Sequence, residues 1–423
     1  MLPMNVSADT SAQDTTTTRG VNPDTTLAIE TTLREVVETL APLDRTPCSP
    51  GERIAAEWLH ARMNAVEGVE AQLEDEPSWG TFPPTSTGLG LLGILAALLS
   101  LGGRRALARL LAAATFAGIV DEAGNGPRIV RRLVRKRRQT VNVIARLGDP
   151  DARATFVVLA HHDAPQTGVI FDQSLQRRIY ERVPWLLESV KTPPPQWWLG
   201  LAGPLATLLG ALSRARGSRI GARIGLGLGL VGTALVADVW RSETVPGAND
   251  NLSGVAALVA LAELLRERPI PGLRVLLVSC GAEETLQDGI RAFVARHRHE
   301  LDPVSTRFIN LDTIGSPYLV SLEAEGPVRM EEYTGPWLRD LIERCAAELG
   351  VTLLRGYRAR ASSDSVIPSR AGYPIATLVS ITDWRAPANY HLPSDVPANL
   401  DYGTIAEATR LVYEVARSLA DTA

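Results

Sequence analysis

Adjacent carboxylates follow a short apolar run in the second half of the chain. The run Val275–Val278 is followed, after Gly281, by Glu283 and Glu284. A short run rich in Val and Leu suits a strand buried on both faces of a parallel sheet, and ligands collect at the carboxyl ends of such strands. Alone, the pair is more typical of a solvated helix start. At a strand end, two adjacent negative charges repel each other and are costly unless a cation or a proton-transfer role holds them there. The pair therefore indicates a bound cation or a proton-transfer role.

Four further segments end apolar runs with histidine or aspartate. They are His161-His162-Asp163, Asp250, Asp312 and His391. Singly, His391 suits an ordinary surface histidine and Asp312 a helix N-cap. Together with the glutamate pair, they offer the mixed nitrogen and oxygen ligands that suit Zn²⁺, and two ions sharing a bridging carboxylate would use five of them. We therefore expect two zinc ions at the strand ends.

The elements that must position these residues alternate between strand and helix. Strands are predicted at Val69–Leu73, Val141–Leu147, Thr155–Ala160, Val275–Val278, Phe308–Leu311 and Ala376–Ser380. Helices are predicted at Leu27–Leu40, from Ser49, from Asp250 to Arg266, from Asp288, and at Trp337–Leu349 and Ile405–Leu419. This alternation predicts a three-layer α/β/α fold with a mostly parallel central sheet and helices on both faces.

Composition narrows the class of protein and its compartment. The chain has 423 residues and a formal net charge of -4, so no global basic field indicates nucleic acid as a partner. Three widely spaced cysteines, Cys48, Cys280 and Cys345, suit a reducing compartment. Residues 1–26 are rich in Thr, Ser and Asp, which predicts a disordered tail and not a secretory signal.

Two pairs of apolar runs interrupt the pattern. Gly88–Gly103 and Ala106–Val120 form the first pair, and Trp197–Leu212 and Ile224–Ala237 form the second. Each pair predicts a helical hairpin whose Gly and Ala content permits close helix contact. Each run covers only ~24 Å, short of the ~30 Å hydrocarbon core, yet its apolarity favours membrane association over a soluble cover or a homodimer surface. The basic run Arg128–Arg138 suits either a solvated helix face or anionic lipid headgroups.

The motifs, taken in order, resemble the co-catalytic zinc aminopeptidase family. Its clan also contains glutamate carboxypeptidase, glutaminyl cyclase and the catalytically inactive transferrin-receptor ectodomain. The family's H-x-D, G-A-(D/N)-D-N-x-S-G, G-x-E-E, N-x-D-x-x-G and Y-H-x-x-x-D patterns stand here as HHD, GANDNLSG, GAEE, NLDTIG and YHLPSD. The resemblance covers about Leu27–Glu76, Arg138–Gly168 and Pro246–Ala420.

The resemblance implies a role for each motif residue. His161, Asp250 and Asp312 would bind one zinc ion. Asp250, Glu284 and His391 would bind the other, with Asp250 as the bridge. Glu283 would be the general base acting on a hydroxide shared by the two ions. Asp163 would be the carboxylate that orients His161.

Two departures from the family pattern concern regions around this site. The peptidase domain, 27–423, is predicted to be interrupted by insertions at 77–137 and 169–245 that carry the apolar hairpins and leave the ligands intact. In Ser362-Ser363-Asp364-Ser365, relatives commonly carry His or Tyr where this chain has Ser365.

The expected function is that of a membrane-associated zinc exopeptidase, specifically an aminopeptidase, that acts on a peptide or small amide. Two alternatives stay open: an amidohydrolase or glutaminyl-cyclase-like enzyme, and a non-catalytic membrane or receptor scaffold. The basic run beside the first hairpin favours a cytoplasmic catalytic domain, by the excess of Lys and Arg on cytoplasmic loops. A soluble cytoplasmic protein is the alternative localisation.

Overall fold

A nine-stranded mixed sheet forms the centre of the molecule. The computed structural model describes residues 23–193, 198–213 and 215–421. The strands are β1 (Glu70–Ser78), β2 (Arg138–Gly148), β3 (Ala154–His161), β4 (Leu273–Cys280), β5 (Thr306–Leu311), β6 (Tyr318–Glu325), β7 (Glu331–Glu332), β8 (Leu353–Ala359) and β9 (Ile375–Ile381). Their order is β1-β2-β4-β3-β5-β9-β6-β7, and β8 pairs with β6. The four central strands β4, β3, β5 and β9 are parallel, and antiparallel pairs flank them, so the predicted mostly parallel central sheet is confirmed.

Fourteen α-helices lie in the described part of the chain. They are α1 (Pro23–Leu40), α2 (Pro50–Asn64), α3 (Pro83–Leu101), α4 (Arg105–Ala123), α5 (Ile129–Val134), α6 (Ser174–Arg182), α7 (Pro184–Glu188), α8 (Trp198–Leu212), α9 (Ala215–Arg241), α10 (Ser253–Glu267), α11 (Asp288–His297), α12 (Trp337–Leu349), α13 (Val366–Arg370) and α14 (Tyr402–Ala420). Short 3₁₀ turns occur at Val169–Phe171, Glu283–Thr285 and Pro397–Asn399.

Alternate side chains of the central strands feed two separate cores. In β3, Phe156 and Val158 pack with α1, α2, α10, α12 and α14 on one face of the sheet. Val157 and Leu159 point to the other face, where they pack with α11 and α13. Because successive strand residues face opposite sides, a run that is apolar at every position must be covered on both faces. The three-layer α/β/α arrangement predicted from the sequence is therefore present.

The parallel register places the ends of the central strands along one edge of the sheet. His161, the last residue of β3, lies opposite Cys280, the last residue of β4. Leu311 ends β5 opposite Leu378 of β9. The loops that follow β3, β4 and β5 consequently start side by side.

The two apolar hairpins pack together as one four-helix bundle of α3, α4, α8 and α9. Gly217, Gly221, Gly225 and Gly229 recur every fourth residue along α9 and line its contact with α8. A Cβ atom at Gly221 would lie 2.6 Å from both the Cα of Gly210 and the carbonyl oxygen of Ala206. Small residues at this spacing let helix backbones approach closely, as in membrane bundles.

Several boundaries differ from those predicted, and some predictions lie outside the described residues. Three places lie outside the described residues: the tail through Asn22, Trp197 at the start of an apolar run, and Arg214 between the two runs of the second pair. Helix α1 begins at Pro23, inside the segment 1–26 that was predicted to be disordered. The helices α3 and α9, at 19 and 27 residues, are longer than the apolar runs from which they were predicted. The sequence pattern also missed β6, β7 and β8.

We expect Gly221→Ala to destabilise the bundle, because the new methyl group would clash with backbone atoms that cannot rotate away. Gly227→Ala is the matched control. It lies on the exposed side of the same helix with nothing within 4 Å of its added Cβ, so it should gain up to about 1 kcal/mol of helix propensity. Thermal unfolding of both variants tests this. Equal melting temperatures would contradict the close glycine contact.

Candidate metal and catalytic site

All seven predicted site residues meet at the carboxyl edge of the central strands. His161 ends β3, Asp312 directly follows β5, and Glu283 and Glu284 follow β4 within a short turn. Asp250 lies in the loop Ala248–Leu252 that leads into α10, and His391 lies in the long connection between β9 and α14. Residues far apart in the chain thus converge because parallel strands end together.

Asp250 lies at the centre of this group and contacts both imidazoles. Its Oδ1 is 3.2 Å from Nε2 of His161, and its Oδ2 is 3.1 Å from Nε2 of His391. Oε1 of Glu284 is 3.4 Å from the same nitrogen of His391. The two carboxylate oxygens of Asp250 therefore face two different donor sets.

Three overlapping groups of potential ligand atoms lie within 4.8 Å of one another. They are His161, Asp250 and Asp312; Asp250, Glu284 and His391; and His161, Glu283 and Glu284. The first two are the sets implied by the resemblance, and they share Asp250. The third shows that Glu283 reaches the same space.

Asp163 connects a histidine to the glutamate turn. Its Oδ1 lies 3.4 Å from Nδ1 of His161. The backbone N–H groups of Glu283 and Glu284 donate to its two oxygens at 3.0 and 2.9 Å. This fully buried carboxylate therefore lies beside the imidazole ring and fixes where the two glutamates begin.

Asp395 and Arg45 hold the loop that carries Asp250. The N–H groups of Asn249 and Asp250 donate to the carboxylate of Asp395 at 2.7 and 3.1 Å. The Arg45 guanidinium donates to the carbonyls of Pro246 and His162 at 2.7 and 2.9 Å. Arg45 is fully buried, and burial lowers its pKa to about 10. Both side chains bridge segments that are distant in sequence.

The glutamate turn has an unusual backbone that its neighbours hold in place. Ala282, Leu286 and Gln287 all have positive φ angles, of 52°, 70° and 66°. Such conformations cost free energy in residues other than glycine and persist where the surroundings determine them. Here the N–H of Ala282 donates to the buried carboxylate of Glu52 at 2.8 Å.

Two arginines of the predicted basic run hold the other end of this turn. Arg128 and Arg131 both donate to the carbonyl of Thr285. Each is also paired: Arg128 with Asp288 at 2.8 Å, and Arg131 with Glu122 at 2.7 Å. The sequence suggested a solvated helix face or a contact with lipid headgroups for the whole run. Because these two arginines are buried, neither interpretation holds for them.

Burial and mutual repulsion shape the pKa values at the site. Burial raises the pKa of Glu283 well above its ordinary value and that of Asp312 to about 7. Burial alone would lower the pKa of His391, but Glu284 and Asp250 outweigh it and raise the value to about 10. For Asp250, burial acts upwards, yet contact with the imidazoles of His161 and His391 holds the pKa below its ordinary range.

These properties fit a divalent metal ion. Nδ1 of His391 is buried and has no hydrogen-bond partner in the described part of the protein. Imidazole nitrogens and several carboxylate oxygens point into one space, where a cation would replace protons and relieve the repulsion. Imidazole with carboxylate is a ligand set typical of zinc.

The mouth of the site is narrow and mainly apolar, and both insertions contribute to it. Next to Glu284 and His391, it is lined by Phe82 and Pro83 at the start of α3 and by Val239 near the end of α9. Phe171 completes this wall, with its ring centroid 4.2 Å from that of His391. The sequence predicted only that the insertions leave the ligands intact. The structure shows that both insertions also form part of the wall of the site.

Several supporting residues were missed from the sequence. Asp395 is the last residue of the YHLPSD motif, so its place in that motif could have identified it as a residue that supports the site. Arg45 and Gln287 belong to no motif pattern, and only their contacts across the fold identify them. Glu52 fits the helix start at Ser49, which gives no sign of its contact with the glutamate turn.

Comparison with protein families supports the class of protein that the fold and site define. Residues 235–416 match the model described as "Peptidase family M28". The match contains Asp250, the glutamate pair, Asp312 and His391, but not His161 or Asp163. The match supports a metallopeptidase, and the resemblance to co-catalytic zinc exopeptidases is confirmed. Comparison with curated proteins gives no match.

Solved structures with the same fold extend over most of the chain. A leucine aminopeptidase precursor from Bacteroides thetaiotaomicron is 15% identical with a TM-score of 0.51, covering 92% of this chain and 96% of the other. The glutaminyl cyclase of the same organism, bound to N-acetylhistamine, is 15% identical with a TM-score of 0.51, covering 92% and 97%. A Zn-dependent exopeptidase from Parabacteroides distasonis is 14% identical with a TM-score of 0.51, covering 92% and 97%. At these identities, the likeness shows the fold.

We expect Asp395→Ala to weaken zinc binding by about 10–100-fold, the usual cost of removing a group that supports a metal ligand. The reason is that the backbone N–H groups of Asn249 and Asp250 would both lose the carboxylate oxygens that accept their hydrogen bonds. Zinc affinity is measured by competition with a chelator. Asp401→Ala is the control, since Asp401 only caps α14, and it should cost about 1 kcal/mol of stability without changing zinc affinity. Equal zinc affinity in the two variants would contradict this role.

Proposed function

We propose that the protein is a zinc aminopeptidase that binds two metal ions and works at a membrane surface. The observation that carries the catalytic part is the position of Asp250 between two donor sets, with Glu283 beside them. His161 and Asp312 would complete one set, and Glu284 and His391 the other. Shared use of one carboxylate by two ions roughly 3.5–4 Å apart is the usual arrangement of two-metal hydrolases.

The residues of the chain would divide the work of hydrolysis. When bound, the zinc ions would polarise the scissile carbonyl and lower the pKa of water. Glu283, which is not needed as a ligand, would accept a proton from the attacking water and deliver a proton to the leaving amine nitrogen. Asp163 would keep His161 in one tautomer and orientation through Nδ1. The narrow apolar mouth would exclude bulk water during the reaction.

The charges around the mouth favour an N-terminal over a C-terminal substrate end. Among the described residues that line it, none is Lys or Arg, whereas Glu284 faces the opening. A substrate carboxylate would therefore find no basic side chain at the mouth. The apolar side chains of Phe82, Phe171 and Val239 favour an uncharged N-terminal residue.

We expect three substitutions to separate ligands from the general base. Glu283→Gln should retain zinc but lose roughly 10²–10⁴ in turnover, the range of a general base. Glu284→Ala should lose zinc from one position, and Asp250→Ala from both. Zinc content by elemental analysis and turnover of leucyl and alanyl amides provide the measurements.

The substrate panel decides between this proposal and its alternatives. It includes N-terminal glutaminyl peptides, because cyclisation without hydrolysis would indicate a glutaminyl cyclase. Full zinc occupancy in Asp250→Ala would remove Asp250 from the ligand set. A zinc-loaded protein that turns over none of these substrates would contradict the aminopeptidase assignment and favour a non-catalytic scaffold.

The outer surface of the four-helix bundle supports the membrane part of the proposal. Two described helical segments, Pro83–Leu101 and Gly217–Arg241, are long and apolar enough to cross a membrane by length and composition. At 19 residues, α3 spans about 28 Å, close to the ~30 Å hydrocarbon core. Leu91, Leu95 and Leu98 lie on one face of α3 and are about half exposed. Exposed apolar patches larger than a few hundred Å² are rare on soluble monomers.

We place the catalytic body on the cytoplasmic side. Arg132, Lys136 and Arg137 follow the first hairpin and are exposed beside the catalytic body. An excess of such residues near membrane segments favours the cytoplasmic face. Each hairpin also returns the chain to the side from which it came.

We expect the full chain to pellet with membranes, to resist carbonate extraction and to need detergent for solubility. The triple variant Leu91→Gln, Leu95→Gln, Leu98→Gln should shift protein to the soluble fraction because it removes apolar contact with lipid. The control is Val304→Gln, which changes an even more exposed apolar residue on the catalytic body and should not change partitioning. A soluble, monodisperse wild-type protein would contradict the membrane proposal, and a dimer in that state would assign the surface to self-association.

A further inference from the structure

We propose that Gln287 is a positioning residue for Glu283, and that Asn125 of the first insertion holds Gln287 through Ser362. This inference rests on the proposed role of Glu283 as the general base. It adds to that role a connection between the base and the segment that follows the bundle helix α4.

The side-chain amide of Gln287 donates both of its hydrogens in hydrogen bonds. Nε2 donates to Oε1 of Glu283 at 2.6 Å and to the carbonyl of Ser362 at 2.9 Å. Both partners only accept hydrogen bonds, so the amide cannot be turned end for end without placing oxygen against oxygen. Gln287 is 1% exposed, which keeps water from replacing it.

The carboxylate of Glu283 needs such a donor. Burial disfavours its charged form and the imidazole of His161 attracts it, whereas like charges on Glu284, Asp364 and Asp312 repel it strongly in this buried environment. The hydrogen bond from Gln287 anchors one oxygen and leaves the other free for a proton. A base must lie within hydrogen-bond reach of the proton it takes, so loss of this anchor would lower turnover.

Asn125 completes the connection from the insertion. Its Nδ2 donates to Oγ of Ser362, and it is 3% exposed. Its backbone carbonyl accepts from Arg370 at 2.9 Å and from Arg291 at 3.3 Å, which fixes the segment after α4 to the catalytic body. The path Asn125, Ser362, Gln287, Glu283 thus runs from the base of the bundle to the proton-transfer group.

The test uses Gln287→Met and Asn125→Gly in the zinc-loaded full chain. Methionine keeps the length of the side chain but cannot donate. Glycine accepts the φ of 54° at position 125 and keeps the backbone carbonyl. We expect Gln287→Met to lower kcat by about tenfold, a part of the roughly 10²–10⁴ of a general base, with KM within about twofold and zinc content unchanged. Asn125→Gly should lower kcat by about threefold.

The double variant and a structure distinguish positioning from a general structural role. If the path is real, Asn125→Gly should have no further effect on kcat in the Gln287→Met background, because the two act through the same contact. In a crystal structure of zinc-loaded Gln287→Met, the Glu283 carboxylate should be displaced or occupy several conformers. An unmoved Glu283, additive losses or loss of zinc would each overturn the proposal. If the wild type turns over no aminoacyl substrate, the proposed function fails, and the position of Glu283 still decides this inference.

Discussion

The concentration of carboxylates at one edge of the sheet is the constraint on which the rest of the structure depends. Seven lie there buried or half-buried: Asp163, Asp250, Glu283, Glu284, Asp312, Asp364 and Asp395. Buried charge is costly unless it is paired or hydrogen-bonded. Backbone N–H groups meet this need for Asp163 and Asp395, and imidazoles meet it for Asp250. Glu283, Glu284 and Asp312 keep repulsion from neighbouring carboxylates that a bound cation would relieve.

The insertions belong to this balance of charge. Arg128 and Arg131 bring two cations beneath the glutamate turn, and their partners Asp288 and Glu122 keep them from neutralising the site itself. Both hydrogen-bond the carbonyl of Thr285, so the turn that carries Glu283 is held from the first insertion. Breaking a buried ion pair leaves an uncompensated charge that costs about 3–5 kcal/mol. The bundle therefore cannot be regarded as a removable appendage.

Local patterns in the sequence predicted the central sheet and most of the candidate site residues, because these residues end or follow a buried strand or precede a helix. His391 lies in the long connection before α14 and was identified from the family motif. The supports could not be predicted in that way. Arg45 contacts carbonyls more than a hundred residues away, and Gln287 acts through a left-handed backbone that no propensity rule assigns to glutamine. The edge strand β8 is half-buried along most of its length, so it lacks the alternation that reveals strands. Within the basic run Arg128–Arg138, the prediction was wrong only for Arg128 and Arg131, because burial against parts of the fold distant in sequence leaves no trace in a local charge pattern.

The geometry of the bundle also relates the proposed membrane to the proposed chemistry. The start of α3 and the end of α9 line the mouth of the site, whereas Arg105 and Ser213, at the opposite end of the bundle, contact each other. A bilayer around the bundle would therefore lie directly against the mouth, with the catalytic body outside it. Substrates would have to approach along the membrane surface, where apolar peptide ends concentrate because their burial is favoured by ~0.8 kcal/mol per CH₂ group. An apolar wall made of Phe82, Phe171 and Val239 suits ends of that kind, so the same side chains that narrow the site would match it to substrates gathered at the lipid interface.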